Sequence, residues 1–288
     1  MVNHESYRDE DGTWLYPEQV ERSASGATRR DTGAPIAIGR VEKMSKSRRN
    51  TISPTAIIER YGADTARWFV LSDSPPERDM EWTEAGVAGA ARFTQRLFRL
   101  VSAVAARDAV TAMPAEATSE AADSLRRATH RAIATVTEAL EAFTFNVAVA
   151  RLYELASALS EAEHATADAG GLAFARVEAA RMLCLLVAPM MPHLAETMLS
   201  LLEPGSALAA ERAWPEADPA LLAVRSVTIA VQIMGKLRGT IEMAPDEDAA
   251  RVLAAAEREP NVQRLLDGRC IVKRIHVPNR IVNFVVAG

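Results

Sequence analysis

Lys43-Met44-Ser45-Lys46-Ser47 decides how this chain reads, together with the residues after it: Arg48, Arg49 and Asn50, then Ser53-Pro54, then Tyr61-Gly62-Ala63-Asp64 and Arg67. Five basic residues and one acid, Glu42, lie between Arg40 and Arg49, in a chain whose net charge is −5. By charge alone this is a solvated basic loop. Two lysines three apart among serines also suit phosphate binding: compact ammonium groups on flexible stems, with hydroxyls and turn-prone backbone between them. Ser53 is placed to cap a helix with Pro54 at its first position, and that helix runs out near Tyr61-Gly62. Asp64 is expected to cap the next helix, whose Trp68, Phe69, Val70 and Leu71 turn to the core.

With 288 residues the chain can bury a large core and can form two or more domains. Its 49% hydrophobic and 25% charged residues are those of an ordinary globular protein. The acidic balance requires any nucleic-acid contact to come from local basic patches. Only Cys184 and Cys270 occur, with no Cys-x-x-Cys, so neither a cysteine-rich zinc module nor a disulfide framework is expected. Both cysteines are expected to be buried, in a reducing compartment. The first thirty residues lack an apolar signal core, and the run Met182 to Met191 is short and contains Pro189. The expectation is a cytoplasmic chain with no membrane span and no metal site.

Residues 1–40 read as loop-rich, with short extended pieces at Ser6-Tyr7-Arg8 and Thr13 to Tyr16 and breakers at Ser23-Ala24-Ser25-Gly26 and Asp31 to Pro35. This segment is expected to build no core of its own. Pro35 to Val41 leads into the lysine loop as a short strand. Residues 41–82 hold the loop, its two helices and a connector after Pro75-Pro76. Helical periodicity returns from Thr83 to Ala106, with Phe93, Leu97, Leu100, Val101 and Val104 on one stripe. Arg92, Arg96 and Arg99 lie off it, facing either a phosphate backbone or solvent. Met113-Pro114 interrupts. Helices then follow over Ser119 to Glu141, Asn146 to His164 and Leu172 to Leu202, the last broken at Pro189 to Pro192. Short connections make residues 83–222 an antiparallel bundle, filled in part by methionines 182, 190, 191 and 198. His130 reads as a surface residue and His193 as a helix-start residue.

From residue 225 the texture changes. Val227, Ile229, Val231 and Ile233 alternate with Thr228, Ala230 and Gln232 as a half-buried strand, and the alternation resumes after Gly235. Matching of faces pairs Ile233 with Leu237 across three residues, whereas turn habit favours two, and both stay open. Helices over Asp246 to Glu257 and Asn261 to Leu266 and a second hairpin, Ile271 to Val277 with Arg280 to Val286, complete a small α/β domain. It carries a net charge of +3 against −8 for the remainder. Phe284 is its one aromatic residue, so any nucleic-acid contact is to backbone rather than stacked bases.

The lysine loop, the proline-started helix and Tyr61-Gly62-Ala63-Asp64 resemble the second signature region of class I aminoacyl-tRNA synthetases. Ala188-Pro189-Met190-Met191-Pro192-His193 is similar to the leucine, isoleucine, valine and methionine branch. Ser74 to Trp82, Val231 to Gly239 and Val277 to Asn283 resemble the leucyl family in particular, with Met234 at a turn position where that family usually has Asn. The resemblance implies a mainly α fold: residues 1–40 as the end of an insertion, 41–82 as lysine loop and stem-contact region, 83–222 as helical tRNA-binding bundle and 225–288 as α/β tRNA-binding domain. It implies ATP-dependent activation of leucine and leucylation of tRNA(Leu), with ATP and Mg2+ as substrate and no structural zinc.

Lys43, Met44, Ser45, Lys46 and Ser47 would bind ATP, Lys43 and Lys46 as the catalytic pair with Lys46 at the transition state. Arg67, Lys236, Arg238, Lys273, Arg274 and Arg280 are candidate tRNA contacts, and the bland alternative for the last domain is a solvated hairpin face. No two of the five histidines are three apart, so the His-x-Gly-His type element of the Rossmann half is missing. The expectation is a C-terminal portion that is inactive alone, binding leucine and ATP through the missing half, as a truncated gene product, an excised portion or the smaller chain of a split enzyme. The alternatives are a non-catalytic tRNA-binding module, or a fragment of an isoleucyl, valyl or methionyl enzyme.

Overall fold

Alternating short strands, not loops, occupy the start of the chain. The computed structural model describes residues 1–23, 26–107, 119–164, 171–223 and 226–287. The breaks expected at Ala24-Ser25 and Met113-Pro114, and the domain start at 225, lie outside the described residues. β1 (Val2–Arg8) pairs antiparallel with β2 (Trp14–Leu15) and with β5 (Ala37–Lys43), and parallel with β6 (Met80–Glu81). β3 (Val20–Ser23) and β4 (Gly26–Arg29) form a separate hairpin. Contrary to the sequence expectation, this segment does bury a small core. Tyr7, Leu15, Val20 and Ala27, one from each of β1 to β4, close on one another, with Ile36 against them. Each strand gives this core a single apolar residue, too few to register as a pattern.

β5 delivers the lysine loop. Its register against β1 shifts between Glu5 and Tyr7, a bulge that takes in Gly39 and Arg40. Gly39 lets the strands approach closely there: a Cβ would stand 2.4 Å from Ser6 Oγ and would require that hydroxyl to move.

The helices follow from caps and periodicity. α1 (Pro54–Tyr61) is capped by Ser53, whose hydroxyl accepts from Ala56 N at 3.5 Å. α2 (Ala63–Asp73) buries Trp68 and Phe69, while Val70, expected inside, is exposed. α3 (Glu84–Arg107) buries the expected stripe. α4 (Glu120–Glu141), α5 (Phe145–Glu163), α6 (Leu172–Val187) and α7 (Pro192–Leu202) complete the bundle, followed by the single turn α8 (Pro219–Leu222). Eleven of the sixteen residues of α6 are buried, which makes it the central helix on which α3, α4, α5 and α7 pack. Met190, Met191 and Met198 are buried in this core. Trp68 stacks on Phe93 at 5.0 Å, and Tyr153 closes on both, joining α2, α3 and α5.

The expectations for His130 and Cys270 also fail. His130 is buried, not superficial: Nδ1 accepts from Asp218 N at 2.9 Å and Nε2 faces Glu178 Oε1 at 3.4 Å. Burial alone would raise the Glu178 carboxyl. The hydrogen bonds from His130 and Arg126 outweigh it and hold the group below the usual carboxylate range. Cys270 is exposed, while Cys184 is buried and its thiol is pushed far up by desolvation.

The chain divides into two compact units, Met1–Leu221 and Leu222–Gly288. In the second, β7 (Val227–Ile233), β8 (Lys236–Met243), β9 (Ile271–Val277) and β10 (Ile281–Val286) form a sheet in the order β8-β7-β10-β9, with β7 and β10 parallel. α9 (Ala249–Arg258) and α10 (Pro260–Leu266) pack on one face through Val252, Ala256 and Val262, against Ile229, Val231, Val282 and Phe284. α9 starts later than expected because Asp248 is the better cap, accepting from Ala250 N and Arg251 N. Asp246 instead sits at φ 56° and exchanges two 2.8 Å bonds with Asn279.

The first hairpin takes the two-residue loop, and Ile233 does not pair with Leu237. Ile233 pairs with Lys236 across the two-residue loop Met234-Gly235, and one extra residue, Arg238, restores the matching faces between Gln232↔Leu237 and Val231↔Gly239. Met234 at φ 51° and Gly235 at φ 77° give the pattern of a type I′ turn, which disfavours methionine. Met234→Asn is therefore expected to stabilise this unit by about 1 kcal/mol. Amide hydrogen exchange of β7 and β8 measures it, and unchanged or faster exchange counts against the turn assignment.

Candidate functional site

The lysine loop has a tied base and an exposed head. At the base, Met44 N donates to Val2 O at 3.2 Å and Ser45 N donates to Asn50 Oδ1 at 2.7 Å. Asn50 is wholly buried, and its Nδ2 lies 3.2 Å from His4 O and 3.3 Å from Glu42 O and Lys43 O. A short 3-10 turn, residues 46–48, forms the head, with the Ser45 and Ser47 hydroxyls 2.7 Å apart. Arg49 leaves it in the left-handed region at φ 51°, its Nη1 donating to Trp14 O at 3.2 Å.

Charge is sorted within this loop. Arg48 pairs with Glu42, and Arg40 lies 3.7 Å from the same carboxylate. Lys43 and Lys46 are exposed and form no ion pair among the described residues. The structure thus brings Lys43, Met44, Ser45, Lys46 and Ser47 together with both ammonium groups exposed. The Asp79 carboxyl is held below its usual range by the hydrogen-bonded Met1 amino group, with the Lys43 charge also contributing. A cavity of about 340 Å³ beside the strand is lined by Arg8, Arg40, Arg48 and Trp14, with Arg8 3.7 Å over the Trp14 ring. Behind the loop, Tyr7 donates to Glu5 at 3.0 Å. Burial, then that carboxylate, pushes its phenol up to about 12, so it stays a neutral donor. Among the described residues no cluster of His, Cys, Asp and Glu could hold a metal, and no helix is long and apolar enough to cross a membrane.

Asn50 is the residue that sequence reasoning passed over. Its signal was faint: a single amide ending a cationic loop, with no period to mark it as inward.

Arg67 and Asp64 act together. One turn apart on α2, they share a face. Arg67 Nε donates to Met190 O at 3.0 Å and one Nη to Pro189 O at 2.9 Å. Asp64 does not cap α2, whose N-cap is Gly62. It reaches the start of α7 instead, where Oδ2 accepts from Leu194 N at 2.7 Å and Oδ1 lies 3.0 Å from His193 Nδ1. Met191, the N-cap of α7, supplies no side-chain bond of its own. Gly62 at φ 85° leaves α2 without a cap side chain, and the vacant donor on α7 takes the carboxylate.

In the second unit the register places Lys273 opposite Val285 and Arg274 opposite Phe284, so the two project from opposite faces. Arg274 is on the helical side, 2.7 Å from Glu257. Lys236, Arg238, Lys273 and Arg280 are exposed and form no ion pair among the described residues. In the bundle, Arg92 and Arg99 are exposed, while Arg96 is half-buried and donates to Ser157 Oγ at 3.3 Å.

Residues 36–83 match the family described as tRNA synthetases class I (I, L, M and V), and residues 123–254 match the anticodon-binding domain of tRNA ligase. Over all 288 residues the chain is 68% identical to the leucine–tRNA ligase of Gluconobacter oxydans (strain 621H) and covers 32% of it. It is 60% identical to that of Granulibacter bethesdensis, covering 33%. The chain thus spans about a third of the length of the curated relatives it matches. Among solved structures, it superposes with a TM-score of 0.68 and 28% identity on the ternary complex of Agrobacterium radiobacter K84 agnB2 LeuRS, tRNA and LeuAMS, covering 85% of this chain and 32% of that one.

The α2 joint makes a measurable claim. Asp64→Ala leaves the first turn of α7 without its acceptor and should lower stability by about 1–3 kcal/mol, read from the denaturant midpoint of the helical signal. A change below about 0.5 kcal/mol, the range of neutral surface substitutions, would show that water replaces the carboxylate there.

Proposed function

We propose that this chain is a C-terminal portion of a leucyl-tRNA synthetase, and that within such an enzyme it supplies the phosphate-binding loop for ATP-dependent activation of leucine and the surfaces that hold tRNA(Leu). The observation that carries this reading is the sorting of charge in the loop. The arginines that could compete for Glu42 are occupied by it, and Lys43 and Lys46 are left to meet an anion.

When the leucine carboxylate attacks the α-phosphorus of ATP, bound with Mg2+, negative charge grows on the departing pyrophosphate. Ammonium groups standing there bind the transition state more tightly than the ground state, which lowers the barrier without tightening leucine binding. Lys46, at the head of the turn, takes that contact, and Lys43, at the end of β5, flanks it. Leucine and the adenine ring bind to the rest of the enzyme, so this chain alone carries no activity. The place of the reaction is the cytoplasm.

For tRNA, exposed cations without carboxylate partners support contacts to phosphate, and the lone aromatic of the second unit, Phe284, is buried. Lys236, Arg238, Lys273 and Arg280 take this role, with Arg274 contributing once it leaves Glu257. Arg67 is proposed to act on tRNA only through the bundle it clasps.

Two experiments test these roles. A chimera carrying this chain in place of the matching third of the Gluconobacter oxydans ligase should exchange pyrophosphate with ATP in a leucine-dependent way, as this chain alone should not. In it, Lys46→Ala should lower kcat by about 10²–10³-fold and leave the leucine KM nearly unchanged. A raised KM at normal kcat would assign the loop to ground-state binding.

In the same chimera, neutralising Lys273 and Arg274 together should weaken tRNA binding. It should flatten the slope of log affinity against log salt by about 0.7–0.9 for each phosphate that is no longer bound, with Lys273 giving the larger part. An unchanged slope would leave these residues as a solvated hairpin face and move the tRNA-binding surface to the bundle.

A further inference from the structure

We propose that Asn50 is the positioning residue of the lysine loop, fixing where the Lys46 ammonium stands; this rests on the reading of the loop given above. The side chain bridges the two ends of the loop. Oδ1 takes the amide of Ser45, at the entry, while residue 50 is itself the exit. Nδ2 meanwhile ties that closure to β1 through His4 O and to the end of β5 through Glu42 O and Lys43 O. Only the segment between Ser45 and Asn50 lies outside the clamp, and it holds Lys46.

The chemistry of the site selects asparagine. A carboxamide presents two N–H groups and a carbonyl, and here both ends are used: the oxygen on one amide, two protons shared among three carbonyls. Aspartate has the same shape and keeps the acceptor, but it turns a charge towards three carbonyl oxygens. Serine can supply a single donor. With Asn50 wholly buried, water has no access to repair the missing bonds. Lys46 is exposed and its side chain makes no hydrogen bond or ion pair among the described residues, so the backbone that carries it sets its position. The clamp acts on catalysis through the lysine, and Asn50 touches no substrate.

Asn50→Asp and Asn50→Ser, each alone and with Lys46→Ala, test this in the chimera. Each single Asn50 variant should lower the kcat of pyrophosphate exchange by about 10²-fold, the effect of a misplacement near 1 Å, with the leucine KM unchanged. If Asn50 acts through Lys46, the double variants lose no more than Lys46→Ala does alone. A full-rate Asn50 variant, or losses that multiply in the double variants, overturns the proposal.

The reading of the loop fails separately, if Lys46→Ala alone costs nothing. In this chain itself, Asn50→Ser, whose shorter side chain gives up the acceptor on the Ser45 amide, should speed hydrogen exchange there and leave the α6 amides as they were. A Ser45 amide that stays protected, or α6 amides that exchange faster in both variants, overturns it without reference to activity.

Discussion

Asp64 caps a helix to which it does not belong, and the position of the lysine loop relative to the bundle depends on that contact. The carboxylate sits on the amide of Leu194 at the start of α7, where the helix dipole is positive. One turn along, Arg67 sits on the carbonyls of Pro189 and Met190, the unpaired oxygens that follow α6. Each charge is matched to the end of the backbone it meets. Trp68, the next residue after Arg67 along α2, is fully buried against Phe93 and Tyr153 and supplies the apolar half of the same joint. A short helix is thereby fastened on two sides, and the loop one helix upstream inherits a defined place.

Much of this was legible in the sequence because it obeys a period. The stripe on α3, the break at Pro192 and the alternation of β7 are local patterns, and the structure repeats them within one or two residues. Lys43 and Lys46 were singled out by residue type and spacing alone, and the structure shows both exposed on the loop.

What could not be read is what depends on partners far along the chain. Asp64 obeys the rule for a cap, but its helix lies about 130 residues downstream. His130 has the composition of a surface position on α4 and becomes buried because the segment at Asp218 crosses over it. Asn50 is polar within a polar loop, and only the meeting of β1 with β5 turns it inward. In each case the missing quantity was a long-range contact, which no window of sequence contains. Residues 1–40 show the same limit on a smaller scale. Four buried side chains from four strands make a core only once the strands have met.

Counting charge has a related weakness. The net charge of +3 in residues 225–288 suggests a uniformly basic module, yet the fold divides it. Arg251 lies 2.9 Å from Glu247 and Arg274 2.7 Å from Glu257, so part of the positive charge is neutralised on the helical side. Lys273 is adjacent to Arg274 in sequence but opposite in direction, because neighbours in a strand alternate. Arg238 owes its exposure to being the extra residue of a bulge, held where Asn261 donates to its carbonyl and where Gly239 comes so close to Glu259 that a Cβ would stand 2.5 Å away. The positive surface is therefore set by strand register and by a single inserted residue. Removing the bulge would return Arg238 to an ordinary alternating position while leaving the composition of the unit almost unchanged.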